Sequence, residues 1–323
     1  MLIAAKCRLA IWLLACSISV MASPISRDVY VQRYRDLKKV AITIVTWPNE
    51  HTRYDERYYL TEDLGKTWKQ VEESNAYDNP LQISPNGIDQ STLYRLQMDP
   101  SRDSRTIIEK SLDKGNSWQR ASANIKGTSE SLTFYQFLTF DPIDPSTLYV
   151  CGNVLGQDKP DSPEVLGVYV SKDKGETFTF LFAGLSSFNF AISRSRPATI
   201  YAVVYGNCLI KSDDSGKIWV SIGLPDPMRD SIYTLIVDPR DHQKIYAHTT
   251  NAIWITSDAG RNWKQLNPIR TGGIESIALA LQGNEKAIFA AVKGRLFVSR
   301  NEGESWSEFD LESYPIIRRN KPK

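Results

Sequence analysis

Cysteine and histidine are scarce in this sequence. The 323 residues include four Cys and three His, and no close spacing joins His51, His242 or His248 to a cysteine. A zinc site needs such residues at short, regular spacing, so none is expected. Gly-rich phosphate loops and the short motifs of metalloproteases and serine hydrolases are missing as well. We therefore predict no metal, no cofactor and no catalytic residue.

An excess of charge of either sign is also lacking. The chain has 39 Lys and Arg against 37 Asp and Glu, and two of the basic residues, Lys6 and Arg8, belong to an N-terminal segment that we expect to be removed. Without them the two signs balance. A chain close to neutrality has no electrostatic reason to bind nucleic acid or an anionic membrane surface. Neither is expected as a partner.

Long apolar runs are absent, since no segment has the roughly 18 to 20 consecutive apolar residues of a membrane-spanning helix. The shorter run at residues 9–20 ends in Val20-Met21-Ala22, which is typical of a signal-peptidase site. We predict a signal peptide at 1–22 and an exported mature protein, periplasmic or secreted, at 23–323. In the alternative interpretation, residues 13–16 are a lipobox and Cys16 carries a lipid anchor.

Removal of the signal peptide would leave two cysteines, Cys151 and Cys208. An oxidising compartment permits a disulfide between them, provided that their Cα atoms lie within roughly 7 Å. The repeat described next places both at the same end of neighbouring units. The alternative is a pair of buried thiols, and the sequence leaves both possibilities open.

One eight-residue pattern, Ser/Thr-x-Asp-x-Gly-x-x-Trp/Phe, recurs six times. The copies span residues 61–68, 111–118, 171–178, 212–219, 256–263 and 299–306, and their third residues are Asp63, Asp113, Asp173, Asp214, Asp258 and Asn301. Asp or Asn can accept hydrogen bonds from the N–H groups that follow it, and Gly supplies a positive φ. The pattern therefore predicts a tight turn between two strands. Because Asp, or Asn in the sixth copy, recurs in every unit, we assign it a structural role.

A second pattern precedes most of these turns. Segments such as Asp141-Pro142 through Leu148-Tyr149, and Asp238-Pro239 through Ile245-Tyr246, have a Pro-marked turn followed by the start of a strand. Each unit thus reads as strand A, Pro turn, strand B, loop, strand C, Asp-Gly turn and strand D. Four antiparallel strands in about 45 residues are typical of a β-propeller blade. We predict an all-β fold, a single propeller of six blades, with seven as the alternative.

The chain resembles the Asp-box, or bacterial neuraminidase, repeat proteins. This cadence of turns is similar to that of sialidases, xyloglucan-active endoglucanases, sortilin-type receptor ectodomains and the photosystem II assembly and stability factors. The resemblance implies the propeller fold, but these families differ in function. The sialidase arginines and Arg-Ile-Pro motif have no counterpart here, and the xyloglucan-active enzymes need a second propeller.

Binding is expected at the end of the propeller opposite the Asp-Gly turns, where the B–C loops of the first three units are long. Four arginines in the first two of these loops are expected to form a positive patch with aromatic neighbours, which suits an acidic protein surface or an anionic glycan. In the alternative interpretation they pair with Asp55, Glu56 and Asp103 beside them and are only solvated. The predicted partner-binding residues are Trp47, Arg53, Tyr54, Arg57, Tyr77, Arg102 and Arg105.

The function predicted from the sequence is that of an exported, non-catalytic binding or assembly module for a protein or a glycan. The alternative is a glycoside hydrolase, sialidase- or xyloglucanase-like, that acts on an extracellular polysaccharide. Hydrolysis needs two carboxyl groups about 5 to 9.5 Å apart. Asp158, Asp161 and Glu164 in the third B–C loop are candidates, although their spacing does not demand that role.

Overall fold

The structure, a computed structural model, describes residues 26–33, 40–47, 55–71, 92–98, 106–121, 124–125, 132–144, 146–154, 167–183, 185–195, 198–204, 208–228, 232–266 and 273–309. These residues form strands β1 to β24 and one short 3-10 turn, Asp226–Met228. The prediction of an all-β fold is confirmed. In this part of the chain no helix has the length and apolar character needed to cross a membrane.

The strands fall into six sheets that follow chain order. The first sheet holds β1 (Ser26–Arg33), β2 (Val40–Trp47), β3 (Asp55–Thr61) and β4 (Lys69–Val71), and the second holds β5 (Leu93–Met98), β6 (Thr106–Ser111) and β7 (Gln119–Arg120). The third holds β8 (Asn124–Ile125), β9 (Leu132–Phe140), β10 (Leu148–Val154), β11 (Gly167–Ser171) and β12 (Thr177–Ala183).

The last three sheets have four strands each. The fourth holds β13 (Leu185–Ile192), β14 (Ile200–Val204), β15 (Cys208–Ser212) and β16 (Val220–Ile222). The fifth holds β17 (Thr234–Asp238), β18 (Asp241–His248), β19 (Ile253–Thr256) and β20 (Lys264–Leu266). The sixth holds β21 (Ile274–Gln282), β22 (Glu285–Val292), β23 (Arg295–Ser299) and β24 (Ser307–Phe309). Four sheets, the first and the last three, are thus the four-stranded antiparallel meanders that the repeat predicts.

Two sheets depart from that pattern. The inner strand expected in the second unit belongs to residues 72–91, outside the described residues. The third sheet has a fifth strand that was not predicted, because β8 pairs in parallel with the outer strand β12 through Thr177–Asn124 and Phe178–Ile125. An outer strand exposes unpaired N–H and C=O groups, and this short segment of the same chain covers part of that edge.

The hydrophobic core lies between consecutive sheets. Four such interfaces, from the second sheet to the sixth, each have a cluster of buried side chains from two neighbouring sheets, such as Tyr94 and Ile108 of the second sheet with Leu138 and Phe178 of the third. In two sheets the tyrosine of strand B also hydrogen-bonds to the next sheet. The Tyr94 hydroxyl donates to the carbonyl of Lys174 at 3.2 Å, and that of Tyr201 donates to the carbonyl of His242 at 3.1 Å.

The first sheet packs against the last. Val40, Tyr59 and Trp68 share one buried cluster with Phe289 and Val298, and β1 contacts β21 and β22. The Trp68 and Phe289 rings meet edge to face, with centroids 5.9 Å apart. The two ends of the described chain are therefore joined through the hydrophobic core.

Candidate functional site

The predicted partner-binding residues lie at the edge of, or outside, the described residues. Trp47 ends β2, and Arg57 pairs with Ile44 inside β3. The loop was expected to extend to Arg57, but β3 begins at Asp55 because the pairing with β2 continues to Thr46. The structure describes only the backbone of Trp47 and Arg57. The other predicted residues lie outside the described residues altogether: Arg53, Tyr54, Tyr77, Arg102 and Arg105. Their role stays a prediction.

The connections between strands B and C differ in length around the molecule. They are residues 48–54, 99–105 and 155–166 in the first three sheets. In the last three sheets they shorten to 205–207, 249–252 and 293–294. The difference that the sequence predicted between the two halves is therefore present in the strand boundaries.

The six Asp-Gly turns share the same pattern of hydrogen bonds, which the third copy illustrates. The Ser171 hydroxyl donates to Asp173 Oδ1 at 2.7 Å and accepts the N–H of Gly175 at 2.8 Å. Asp173 Oδ1 accepts the N–H of Thr177 at 2.8 Å, and Oδ2 accepts the Thr177 hydroxyl at 2.5 Å. Each of the other copies has the corresponding bonds from its first and third residues, as in Thr61 with Asp63 and Ser111 with Asp113. The predicted turn is confirmed.

The backbone of these turns is more unusual than the pattern suggested. Each box glycine has a φ between +77° and +93°, as expected, and the residue before it is also left-handed, with φ between +59° and +63°. Two successive positive φ values are typical of tight hairpin turns of type I′. The preceding residues, which the sequence did not single out, are Leu64, Lys114, Lys174, Ser215, Ala259 and Glu302.

The turn carboxylates are held in their ionised form. The Ser117 hydroxyl and N–H lower the pKa of Asp113 to about 2, and the Asn262 N–H and side-chain amide do the same for Asp258. The pKa values of Asp63, Asp173 and Asp214 are lowered as well. A general acid for glycoside hydrolysis needs a raised pKa instead. These aspartates therefore have the chemistry of structural hydrogen-bond acceptors.

Replacing Asp173 with alanine should lower the free energy of unfolding by about 1 to 3 kcal/mol, because the Thr177 N–H and two hydroxyl groups lose their acceptor. Asp173→Asn is the matched control, since Asn301 makes the same turn in the sixth copy, with its amide donating to Ser305 Oγ at 2.8 Å. The asparagine variant should stay within about 1 kcal/mol of the wild type in urea unfolding. Equal losses for both variants would contradict this assignment.

The structure has Cys151 and Cys208 as thiols, and only Cys151 of the two is buried. Cys151 is buried beside Val168 and Ala202, and burial raises the pKa of its thiol to about 12. Cys208 is only half-buried, with its sulfur 3.1 Å from Ser221 Oγ on the neighbouring strand. A thiol titration of the denatured, unreduced mature chain, residues 23–323, should find two reactive groups, whereas a disulfide would leave none.

A cavity of about 360 Å³ lies where turns of the fifth, sixth and first sheets meet, at the end of the molecule that carries the Asp-Gly turns. The Asp-Pro turns share this end, as predicted: the Lys174 N–H donates to the Ser146 carbonyl at 3.0 Å. Much of the wall consists of charged side chains, among them Lys66, Arg240, Lys286, Arg300 and Glu302. Lys66, Arg300 and Glu302 occupy variable positions of the first and sixth Asp-Gly patterns, so the pattern itself does not single them out.

Ion pairs neutralise the acidic groups of this cavity. Lys286 Nζ is 2.9 Å from Asp238 Oδ2 and 2.7 Å from Glu302 Oε1, and Lys244 Nζ reaches the same Glu302 oxygen at 2.9 Å. Lys66 pairs with Glu285 at 3.4 Å. The two lysines lower the pKa of Glu302. The lysines around the cavity thus already have carboxylate partners.

The two arginines of the cavity are held differently, by backbone carbonyl groups. Arg240 donates to the carbonyls of Gly283 and Asn284, the latter at 3.2 Å. Arg300 Nη2 donates to the Leu64 carbonyl at 3.0 Å, which joins the sixth sheet to the first. Among the described residues, no carboxylate lies within ion-pair distance of either guanidinium group.

His248, at the end of β18, is buried, with only 1% of its surface exposed. Its ring stacks on Tyr233 with centroids 5.8 Å apart, and neither ring nitrogen has a hydrogen-bond partner among the residues described. Burial lowers the pKa of the imidazole to about 3. The described residues contain no group of three His, Cys, Asp or Glu side chains arranged to hold a metal ion.

Comparison with known proteins places the repeat among the Asp-box propellers. The Sortilin-Vps10 family model (sortilin, neurotensin receptor 3) matches residues 56–208, which include the first three Asp-Gly turns. The oligoxyloglucan-reducing end-specific xyloglucanase of Emericella nidulans is 25% identical over 162 residues. That match covers 46% of this chain and only 19% of the enzyme. The resemblance to Asp-box β-propeller proteins is confirmed.

Two solved structures are similar to this chain, one over most of its own length and the other over less than a third. YCF48 bound to D1 peptide is 15% identical, with 91% of this chain and 88% of that chain covered and a TM-score of 0.47. An ancestral GH74 enzyme is 13% identical, with 68% of this chain and 29% of that chain covered and a TM-score of 0.48.

Proposed function

We propose that this chain, a protein of the Asp-box β-propeller type, forms a closed ring of six blades and acts as an exported, non-catalytic binding module. The ring is supported by the packing of the second to sixth sheets on one another in chain order and by the shared core of the first and last sheets. Six sheets for six Asp-Gly turns favour six blades over seven. Export rests on the signal peptide predicted at residues 1–22.

The observation that carries the binding function is the unequal length of the B–C connections. Repetition of one turn gives the Asp-Gly end a regular backbone, whereas the B–C connections of three consecutive sheets, residues 48–54, 99–105 and 155–166, are longer than those of the other three sheets. Long connections on a rigid scaffold are where binding residues are most often found. We propose that a protein or a glycan with negative charge binds there through the predicted arginines and aromatic residues.

A quadruple variant, with Arg53, Arg57, Arg102 and Arg105 changed to Glu, tests this surface. The probes are an array of acidic and neutral peptides and a panel of anionic and neutral glycans. Wild type should retain acidic probes in a salt-dependent manner, and the variant should bind them at least about tenfold more weakly. The melting temperature of the variant should change little.

A matched control places the same change of charge at the opposite end of the molecule. Lys172, Lys174, Lys217 and Arg261 are exposed residues of the Asp-Gly turns, and all four are changed to Glu. This control should bind the acidic probes like the wild type. Undiminished binding by the folded Arg53, Arg57, Arg102 and Arg105 variant would move the site elsewhere, with residues 155–166 as the next candidate.

Glycoside hydrolysis is the second candidate function, favoured by the partial match to a xyloglucanase. It would need two carboxyl groups that face each other across a cleft at the loop-rich end. Asp158, Asp161 and Glu164 are the carboxyl groups that the sequence offers, and they belong to residues 155–166, outside the described residues. Release of reducing ends from xyloglucan oligosaccharides separates this function from binding alone.

A further inference from the structure

The cavity between the fifth, sixth and first sheets retains positive charge after its ion pairs are counted. Four cationic side chains and two carboxylates line it: Lys66, Arg240, Lys286, Arg300, Glu285 and Glu302. Two more charged residues adjoin the cavity and cancel each other. Lys244 pairs with Glu302, and Asp238 pairs with Lys286. The site therefore carries an excess of about two positive charges, which the guanidinium groups of Arg240 and Arg300 supply.

Both guanidinium groups are positioned without being neutralised. The carbonyls of Gly283 and Asn284 fix Arg240, and the Leu64 carbonyl fixes Arg300. A carbonyl accepts a hydrogen bond but brings no net charge, so each guanidinium keeps its attraction for an anion. Because these carbonyls already hold both side chains, the arginines would lose less conformational entropy when a ligand binds.

We propose that this cavity is a binding site for an oxyanion ligand with about two negative charges, a phosphate group or a pair of carboxylates. Planar guanidinium groups bind both chemistries through paired N–H donors. A volume of about 360 Å³ suits a small ligand or the charged end group of a larger one. The site lies at the Asp-Gly end, so it is independent of the surface proposed above at the loop-rich end.

Titration calorimetry with inorganic phosphate and with succinate, at constant ionic strength in chloride buffer, tests the proposal on the full mature chain. At least one of the two anions should bind saturably, with a dissociation constant of roughly 1 mM or lower. Phosphate binding alone would assign a phosphate-type ligand, and succinate binding alone a dicarboxylate. The proposal fails if neither anion binds saturably up to about 20 mM.

Arg300→Gln removes one of the two charges and should weaken binding at least about tenfold. Arg295→Gln is the matched control, because Arg295 lies on the same sheet, outside the cavity, and pairs with Glu308. This control should bind within about twofold of wild type. Equal weakening in both variants would show that the anions respond only to overall charge and would overturn the site.

A loss of binding could also follow from disturbed packing, since Arg300 joins the sixth sheet to the first. Arg300→Lys keeps the charge and should retain part of the binding, and Arg240→Gln removes the other guanidinium from a different sheet. Both arginine-to-glutamine variants of the cavity should lose affinity while their melting temperatures stay near that of the wild type. Full affinity in a folded Arg240→Gln variant would contradict the proposed geometry.

Discussion

Acidification from pH 7 to pH 5 should lower the free energy of unfolding by about 2 kcal/mol through His248 alone. In the folded state burial lowers the pKa of this imidazole to about 3, against an ordinary value of 6.5. The unfolded chain therefore binds a proton that the native chain excludes. The stabilising effect is complete above pH 6.5 and is lost progressively as the pH falls from 6.5 towards 3.

Urea unfolding at pH 7, 6 and 5 measures this effect. The pH window separates His248 from the turn aspartates, whose pKa values lie lower and whose stabilising effect is lost only as the pH falls below about 4. His248→Leu keeps a similar volume, since the ring has no hydrogen-bond partner among the described residues. The unfolding free energy of this variant should vary much less over the window.

His242 provides the control, because it lies on the same strand and its side chain is exposed. His242→Gln should preserve the full pH dependence of the wild type. If His248→Leu keeps that dependence instead, the native protein accommodates the imidazolium, which would contradict the burial of His248.

Gly65→Ala should lower the free energy of unfolding by about 2 to 4 kcal/mol. Gly65 has a φ of +77°, and a Cβ atom there would lie 2.8 Å from Phe289 Cε1. The backbone strain accounts for about 1 kcal/mol, and the rest follows from overpacking where the first sheet meets the last. Phe289 is fully buried in that interface, so its ring has little room to move.

Gly175→Ala is the matched control for backbone strain. Its φ is +88°, but the nearest atom to a Cβ there is Ala121 Cβ at 3.7 Å, so only the strain of about 1 kcal/mol should appear. Combining Gly65→Ala with Phe289→Leu should recover at least about 1 kcal/mol relative to additive effects. Additive losses would mean that the first and last sheets do not pack as described.

The repeat made most of the fold predictable, because an Asp-Gly turn depends on contacts within eight residues. Ser171, Asp173 and Thr177 satisfy one another locally, so their positions in the sequence were enough. The short strand β8 escaped prediction because its pairing with β12 joins segments about fifty residues apart, and two residues carry no recognisable pattern.

The cavity could not be predicted for a similar reason. Arg300 and Leu64 are 236 residues apart and meet only because the last sheet packs on the first. Sequence analysis placed the binding residues in long loops, where composition and length give a signal. The Asp-Gly end appeared uniform because the repeat conceals which variable positions come together across neighbouring sheets.

The central claim, that the protein binds but does not hydrolyse, is tested most directly by incubating the purified mature chain with xyloglucan oligosaccharides and counting reducing ends over time. We expect no increase above a protein-free control. A steady release that stops when Asp158, Asp161 and Glu164 are changed to Asn, Asn and Gln would contradict it and establish a glycoside hydrolase.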